Sequence, residues 1–290
     1  MPGRGGSGVI AGPQGALTPE RSHRRVSTNV ARTQVLGAAL TMRQGIKRAV
    51  IAAGLETPAR ALVTTVRRRS RIWDRTIKDH EHIQILLAFA LPADANCVDV
   101  GAANGRVLET IVRVAPRGHH IAYEPVAEFH ETLIARFPQV DVRSVALSDE
   151  GGETTFTYVR DRPHVSGFRP RDFRDGGRQL ETIRVRTARL DDDLPEGYVP
   201  HLIKVDVEGA EEMVFRGALQ TILRYRPIVV FQHGRGSAEA YGTKPGAIFR
   251  LLTGDAGLRI FDMDGGGPYT SAAFDAAYET NSYFHFVARP

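Results

Sequence analysis

The 290-residue chain carries 38 Lys and Arg against 33 Asp and Glu, a formal net charge of +5. Its hydrophobic content of 42% and charged content of 24% are ordinary for a globular protein, which excludes wholesale disorder and collagen-like repeats. The single cysteine, Cys97, excludes a disulfide scaffold and a zinc site built from cysteines, and is typical of a cytoplasmic protein. No stretch approaches the roughly 18 apolar residues of a membrane-spanning helix.

The charge is divided unevenly along the chain. Residues 1–71 hold 13 basic and two acidic residues, a balance of +11, so residues 72–290 have a balance of −6. Nucleic-acid-binding domains normally carry a basic face on the folded body itself. We therefore expect no nucleic-acid partner.

Residues 1–41 are predicted to form a disordered basic tail. The first 28 residues are rich in Gly, Pro, Ser and Arg and show no apolar periodicity, so they cannot bury enough surface to offset chain entropy. No uninterrupted apolar stretch of signal-peptide length follows the charges. Because Met42 opens the next segment, a further hypothesis is that translation starts there.

Residues 42–78 are predicted to form a helical extension. Apolar residues recur near helical spacing up to residue 70, interrupted by Gly54 and Pro58, which favours two short amphipathic helices with basic faces. Two interpretations stay open. The helices pack as a cap on the main domain, or the basic run Arg67–Arg71 contacts an anionic membrane surface or a partner.

From residue 79 to the end, the pattern predicts one α/β domain. A buried helix closes at Leu91-Pro92, and short apolar runs then alternate with helical stretches, which indicates βαβ units and a doubly wound, mainly parallel sheet. The run Ser282–Val287 follows its predecessor too closely for another crossover and predicts an antiparallel last strand. The other predicted strands are Cys97–Val100, His120–Tyr123, Val140–Ala146, Leu202–Val205, Ile228–Phe231 and Leu258–Phe261, and the predicted helices cover 104–114, 126–136, 209–225 and 245–254.

The segment 153–187 breaks this alternation. Thr154–Val159 and Thr182–Thr187 have strand composition, and the loop between them contains six arginines. A hairpin with a long arginine-rich loop over 160–178 is predicted. The loop is interpreted either as a lid or binding loop, or as a solvated excursion.

The motif VDVGAANG, residues 98–105, places an acid and a glycine-rich turn between a strand and a helix. Gly101 and Gly105 allow a ligand to approach the backbone, and free N–H groups at a helix start favour an anionic group. The G-x-G-x-x-G spacing of dinucleotide folds is missing. The motif suits a ligand with a carboxylate and an ammonium, the latter next to Asp99.

Two later strand ends extend this candidate site. Glu124-Pro125 follows the second strand, where an acid in doubly wound folds accepts both ribose hydroxyls; a surface acid at a helix start is the alternative. The next strand ends at Leu147-Ser148, an edge that would flank an adenine.

The motif IKVDVEGAE, residues 203–211, puts Asp206 and Glu208 at the carboxyl end of a fourth strand, where open α/β sheets bind ligands. Glu211 and Glu212 are explained by the dipole of the following helix. Lys204 either pairs with a carboxylate or lies at a sheet edge.

Together, VDVGAANG, YEP, VALSDEGG and IKVDVEGAE followed by Gly217 resemble the FkbM family of S-adenosylmethionine-dependent methyltransferases, from about residue 79 to the end. The resemblance implies the class I methyltransferase fold, seven strands with an antiparallel last strand, and methylation of a hydroxyl on a sugar or secondary metabolite. It also implies that IKDHEHIQ (77–84) and SGFR (166–169) lie near the cofactor and acceptor. Gln232 departs from the family pattern, which usually has Glu there. The expected cofactor-binding residues are Asp99, Gly101, Ala102, Asn104, Gly105, Glu124, Pro125, Leu147, Ser148 and Asp206, and the expected substrate residues are Glu208, His80, Ser166 and Arg169.

Methyl transfer to a hydroxyl needs in-line alignment and a base that removes the hydroxyl proton. His233 and Asp206, predicted at adjacent strand ends, are the candidate catalytic residues, with His233 preferred because the reference pKa of histidine is near 6.5. His80, His82 and His164 are weaker candidates. A metal held by Asp206, Glu208 and a histidine lacks tight ligand spacing, so we expect no metal.

The sequence thus predicts an S-adenosylmethionine-dependent O-methyltransferase acting on a small hydroxylated molecule. Two alternatives stay open. One is a nicotinamide-dependent oxidoreductase on a Rossmann domain, disfavoured by the missing glycine pattern and the antiparallel strand. The other is a cofactor-binding scaffold without catalysis.

Overall fold

A computed structural model of the chain describes residues 74–170 and 179–290, all within one compact unit, Arg71–Pro290. The predicted tail, the two predicted amphipathic helices and part of the arginine-rich loop (171–178) lie outside the described residues. None of the helices in the described part is long and apolar enough to cross a membrane.

The first described helix, α1, covers residues 74–90 and is buried on one face only. Ile83 and Leu87, four residues apart, are buried against the sheet, whereas Ile85 is 55% exposed and Phe89 is 90% exposed. Residues four apart share a helix face and residues two apart do not. The predicted helix is present, but it is buried on one face only, so α1 is amphipathic.

The core is a seven-stranded sheet in the order β3-β2-β1-β7-β8-β10-β9, in which β10 runs antiparallel to both neighbours. The predicted doubly wound fold with an antiparallel last strand is confirmed. Its strands are β1 (Cys97–Val100), β2 (His120–Tyr123), β3 (Asp141–Arg143), β7 (Leu202–Val205), β8 (Ile228–Gln232), β9 (Arg259–Asp262) and β10 (His285–Arg289).

The helices lie between these strands along the chain. In order they are α2 (Arg106–Val114), α3 (Ala127–Arg136), α4 (Leu190–Asp193), α5 (Glu211–Gly217), α6 (Leu219–Tyr225), α7 (Pro245–Phe249) and α8 (Ser271–Thr280). Every residue of β1, β2 and β7 is buried, as expected of parallel strands covered on both faces.

Three predicted elements are divided in the structure. The predicted strand Val140–Ala146 becomes β3 in the main sheet and β4 (Ala146–Leu147) in a separate three-stranded sheet. The helix predicted over 209–225 breaks at Ala218, where a Cβ on Gly217 would lie 2.0 Å from the Ser148 carbonyl oxygen. The helix predicted over 245–254 is α7 followed by a π-helical stretch, Arg250–Asp255.

The predicted hairpin is present, with β5 (Gly152–Val159) antiparallel to β6 (Leu180–Ala188) and β4 parallel to β6. Its inner face buries Phe156 and Val185 against Val126 and Ala146. The hairpin is thereby packed onto the main domain, next to the ends of β2 and β4.

Candidate functional site

An open cleft of about 550 Å³ lies at the carboxyl edge of the parallel strands. Its walls come from the residues after β1, β2 and β7, from β4, and from the hairpin and its loop. Seven of the predicted site residues line it: Gly101, Glu124, Pro125, Leu147, Ser166, Asp206 and Glu208.

The glycine turn after β1 is closed by its own hydrogen bonds. The N–H groups of Gly101 and Ala102 both donate to the Tyr123 carbonyl at 2.9 and 3.2 Å, and that of Gly105 donates to the Ala102 carbonyl at 2.8 Å. Ala103 donates to the Glu124 carboxylate at 2.8 Å. These four N–H groups of the turn before α2 are therefore engaged within the protein.

The two glycines of this turn serve close packing. Gly101 has a φ of +73°, and a Cβ there would lie 2.0 Å from the Asp206 carbonyl oxygen. A Cβ on Gly105 would lie within 3 Å of the Phe137 and Leu133 side chains. Ala102, Asn104 and Gly105 do not line the cleft.

Asp99 lies inside the sheet and not in the cleft. Register pairs Asp99 with Lys204 on the neighbouring strand, and the Lys204 Nζ lies 2.9 Å from an Asp99 carboxylate oxygen. Both side chains are buried. Burial lowers the pKa of Lys204, but the charges of Asp99 and Asp206 outweigh that effect and raise it. The ammonium group next to Asp99 is thus that of Lys204. Of the two interpretations of Lys204, a carboxylate pair or a place at the sheet edge, the structure shows the carboxylate pair.

Glu124, at the end of β2, is the buried acid of the cleft and is only 4% exposed. Its Oε2 accepts the Ala103 N–H and its Oε1 accepts the Val126 N–H at 2.9 Å. Burial raises the pKa of Glu124 to about 7, against the lowering effect of these hydrogen bonds. Each carboxylate oxygen retains a second lone pair, so the group suits a ligand diol.

An apolar wall stands next to Glu124. Phe129 from α3, Leu147 from β4 and Phe156 from β5 line it, with Phe168 from the hairpin loop edge-on to Phe156 at 5.6 Å between ring centroids. These three aromatic residues were not among the predicted site residues, because they come from separate elements with no shared motif. Ser148 is buried and does not line the cleft; its hydroxyl donates to Asp149.

Asp206 and Glu208 form the opposite end of the cleft. Glu208 has a φ of +60°, and Ala103, which also lines the cleft, has a φ of +45°. A non-glycine residue in this region costs about 1–3 kcal/mol and persists where the surroundings impose it. Gly209 follows, at a position where a Cβ would lie 2.5 Å from the Ser237 carbonyl oxygen. The loop that presents both acids is thus tightly constrained.

The acids that follow Gly209 differ from each other. Glu211 is buried and accepts the Gly209 N–H at 2.9 Å, so it holds the loop and is not simply a helix-start acid. Glu212 pairs with Arg216 at 2.6 Å on the helix surface.

His233 does not meet Asp206 in the cleft. It is 1% exposed and its ring stacks against Phe274 and Tyr278, with its Nδ1 4.0 Å from a Glu211 carboxylate oxygen. The backbone N–H of His233 donates to the Phe284 carbonyl, so the chain continues the β8–β10 pairing. Phe274 and Tyr278 of α8 cover the ring. In this arrangement the histidine expected to be the base has no access to the cleft.

The remaining predicted substrate residues do not lie together in the structure. Ser166 lines the cleft, but its hydroxyl accepts the Val159 N–H at 2.9 Å. Arg169 lies over the Tyr241 ring, 5.8 Å from its centroid. His80 is half-buried on α1 and contacts the His285 ring. Neither Arg169 nor His80 lines the cleft as it stands.

Metal-binding geometry is not found in this part of the molecule. Within residues 74–170 and 179–290, no cluster of three or more His, Cys, Asp or Glu side chains is arranged to hold a metal ion.

Comparison with known proteins identifies the family of the chain. A model of the methyltransferase FkbM domain matches residues 99–259. The chain is 31% identical over 190 residues to the AMB antimetabolite synthetase AmbE of Pseudomonas aeruginosa, an alignment covering 52% of this chain and 9% of AmbE. The chain therefore spans less than a tenth of that relative's length.

Two solved structures are similar at low identity. The FkbM methyltransferase of Methylobacillus flagellatus KT is 15% identical with a TM-score of 0.42, covering 68% of this chain and 44% of that one. The plantazolicin methyltransferase BpumL in complex with SAH is 9% identical with a TM-score of 0.39, covering 79% of this chain and 89% of that one.

Proposed function

The chain belongs to the FkbM family of S-adenosylmethionine-dependent methyltransferases, and we propose that it methylates a hydroxyl group of a small molecule, a sugar or a secondary metabolite. The observation that carries this proposal is the cleft itself. One end has a single buried acid beside an apolar wall, and the other end has two acids, Asp206 and Glu208.

The first end suits the adenosine part of the cofactor. Glu124 would accept the ribose hydroxyls on its spare lone pairs while keeping its two backbone donors. Leu147, Phe129 and Phe168 would hold the adenine by apolar and aromatic contact. When bound, S-adenosylmethionine supplies a methyl group on a positively charged sulfur.

The second end suits an acceptor that carries hydroxyl groups. Carboxylates only accept hydrogen bonds when ionised, so Asp206 and Glu208 select ligands with O–H or N–H donors. Holding the acceptor oxygen in line with the reactive methyl is worth roughly 7–11 kcal/mol of the barrier. Asp206, on the constrained loop after β7, is the residue that we propose for this positioning.

The likeness to AmbE supports a secondary-metabolite acceptor. AmbE is an antimetabolite synthetase by name, and the aligned part is a small portion of it. We also infer a cytoplasmic location, which is consistent with the free cysteine Cys97.

Two measurements test the proposal. Calorimetry with SAH and with NAD reports the cofactor, and we expect SAH binding alone. Incubation with S-adenosylmethionine and a panel of sugars and natural products, each offered as the hydroxyl compound and as its amino analogue, reports the acceptor by mass spectrometry. Methylation restricted to the amino compounds would contradict O-methylation, and cofactor binding with no product on any acceptor would favour the non-catalytic scaffold.

A further inference from the structure

His80 lies at the same edge of the sheet as the cleft. Its ring contacts the His285 ring edge-on, with 5.4 Å between centroids. His285 begins β10 and pairs with Gln232, the last residue of β8. Because β8 is parallel to β7, its end is at the edge where Asp206 follows β7. A residue from the first described helix is thus brought to the sheet edge at which the proposed acceptor end lies, without lining the cleft as it stands.

A hydrogen bond fixes the tautomer of His80. Its Nδ1 lies 2.8 Å from the Thr76 carbonyl oxygen, one turn earlier on α1. A carbonyl oxygen can only accept, so Nδ1 carries the proton. In the neutral ring the lone pair is therefore on Nε2, which is the state a proton acceptor needs.

The surroundings favour that neutral ring. Burial lowers the pKa of His80 below its usual value of 6.5, and the charges of His285 on β10 and Arg106 on α2 lower it further. The Thr76 hydrogen bond and the carboxylate of Asp206 act in the opposite direction. The net lowering leaves Nε2 unprotonated at neutral pH, while the Asp206 charge would stabilise the ring once it is protonated.

The support beneath His80 is rigid. The Nδ1 of His285 lies 3.1 Å from Asp79, which is fully buried. Arg75 reaches the other Asp79 oxygen at 2.6 Å and also pairs with Asp264. This network joins α1 to β10 and to the turn after β9, and holds the ring of His80 in place.

We propose that His80 is the general base of the reaction, with Nε2 accepting the proton of the acceptor hydroxyl. The inference rests on the proposed O-methylation. As the acceptor oxygen bonds to the methyl carbon, the carbon–sulfur bond breaks with its electron pair left on sulfur. The hydroxyl proton moves to His80, which then releases it to water. His233 is 1% exposed and covered by Phe274 and Tyr278, whereas His80 is half-buried.

The tautomer is tested on the free protein by ¹⁵N NMR of the histidine rings, with His80→Gln used to assign the signal. We expect Nδ1 of His80 to be protonated, Nε2 to be bare at neutral pH, and the pKa to be below 6.5. His120 is the internal control, since its Nε2 bonds the Ala115 carbonyl at 2.9 Å and it should show the opposite tautomer. A proton on Nε2 of neutral His80 would overturn the proposal.

Turnover tests the role. With an acceptor found in the panel, His80→Gln should lower kcat by about 10²–10⁴-fold and leave SAH affinity unchanged. The acid limb of the pH–kcat profile should disappear in the variant. His201→Gln is the control, because His201 precedes β7 at the opposite edge of the sheet.

The outcomes separate the two proposals. A wild-type enzyme that binds SAH but methylates no hydroxyl compound contradicts the proposed function and, with it, the role of His80. A wild-type enzyme that methylates a hydroxyl while His80→Gln keeps its full kcat contradicts only the role of His80.

Discussion

The two ends of the cleft differ in the side chains that line them. The end near β2 has aromatic and aliphatic walls around one acid, Glu124. The end near β7 is charged, with Asp206 and Glu208 in the cleft. The Asp206 charge also acts on His80, where it opposes the net lowering of the pKa. The first arrangement is suited to holding a ligand by burial and shape, and the second to orienting polar groups and moving a proton.

Lys204 links these two ends. Glu124 at one end and Asp206 at the other both raise the pKa of this buried lysine, and its closest partner is Asp99. Substitutions at the first end should therefore change affinity, substitutions at the second should change turnover, and substitution of Lys204 should change the fold on which both depend.

We expect the largest effect from Lys204→Met. It leaves the buried Asp99 carboxylate without its partner, which typically costs 3–5 kcal/mol in the free energy of unfolding. Urea unfolding followed by circular dichroism measures the loss. The double variant Asp99→Asn with Lys204→Met should recover most of it, because no uncompensated charge remains. A single variant as stable as the wild type would show that the pair does not hold the two ends together.

Glu124→Ala should give the next largest effect, on affinity. Two hydrogen bonds from a ribose to a carboxylate are worth about 1.5–3 kcal/mol each, so the Kd for SAH should rise by roughly 10²-fold or more. Calorimetry measures it. Glu128→Ala is the matched control, because Glu128 lies on the same side but bonds the exposed Tyr158 hydroxyl. Equal affinity for wild type and Glu124→Ala would refute the ribose contact.

The affinity should also depend on pH through the same residue. The pKa of Glu124 in the free protein is about 7 because of burial, and ribose donors favour the ionised form. SAH affinity should therefore fall as the pH drops below 7, by up to about tenfold per unit. The stability effect has the opposite sense. Because the folded pKa of Glu124 lies above its ordinary value of 4.5, the fold loses stability as the pH rises from about 4.5 to about 7 and regains it on acidification over the same range.

Calorimetry between pH 5.5 and 8 tests this dependence, with Glu124→Gln as the comparison. The variant should bind more weakly than wild type at pH 8 and show a flatter profile. A wild-type profile as flat as that of the variant would mean that Glu124 does not titrate with binding.

The two ends also differ in how far the sequence alone predicts them. The motifs VDVGAANG, YEP and IKVDVEGAE each follow one strand, and the ends of parallel strands meet at one edge. Gly101, Glu124, Leu147 and Asp206 could therefore be assigned to one cleft from the sequence. The alternation of strands and helices predicted the mainly parallel sheet, and the short connection before Ser282–Val287 predicted its antiparallel last strand.

The surroundings of Asp99, His233 and His80 could not be predicted from the sequence, because they depend on long-range packing. Whether Asp99 faces a ligand or Lys204 is decided by the β1–β7 register, which no local pattern reports. His233 was expected in the cleft because it follows a strand, but α8, from some forty residues later in the chain, encloses it. His80 reaches the edge only because α1 packs on β10, more than 200 residues away.

The smallest expected effect lies in the aromatic wall. Phe168→Ala removes the ring that meets Phe156 edge-on and lines the cleft. An aromatic contact contributes about 0.5–1.5 kcal/mol beyond its buried area, so SAH affinity should fall about three- to tenfold, with kcat unchanged at saturating cofactor. Phe89→Ala is the control, because Phe89 is an exposed aromatic residue on α1. A drop in kcat with unchanged affinity would place the hairpin loop at the acceptor end, and the division between a binding end and a reacting end would then have to be redrawn around Phe168.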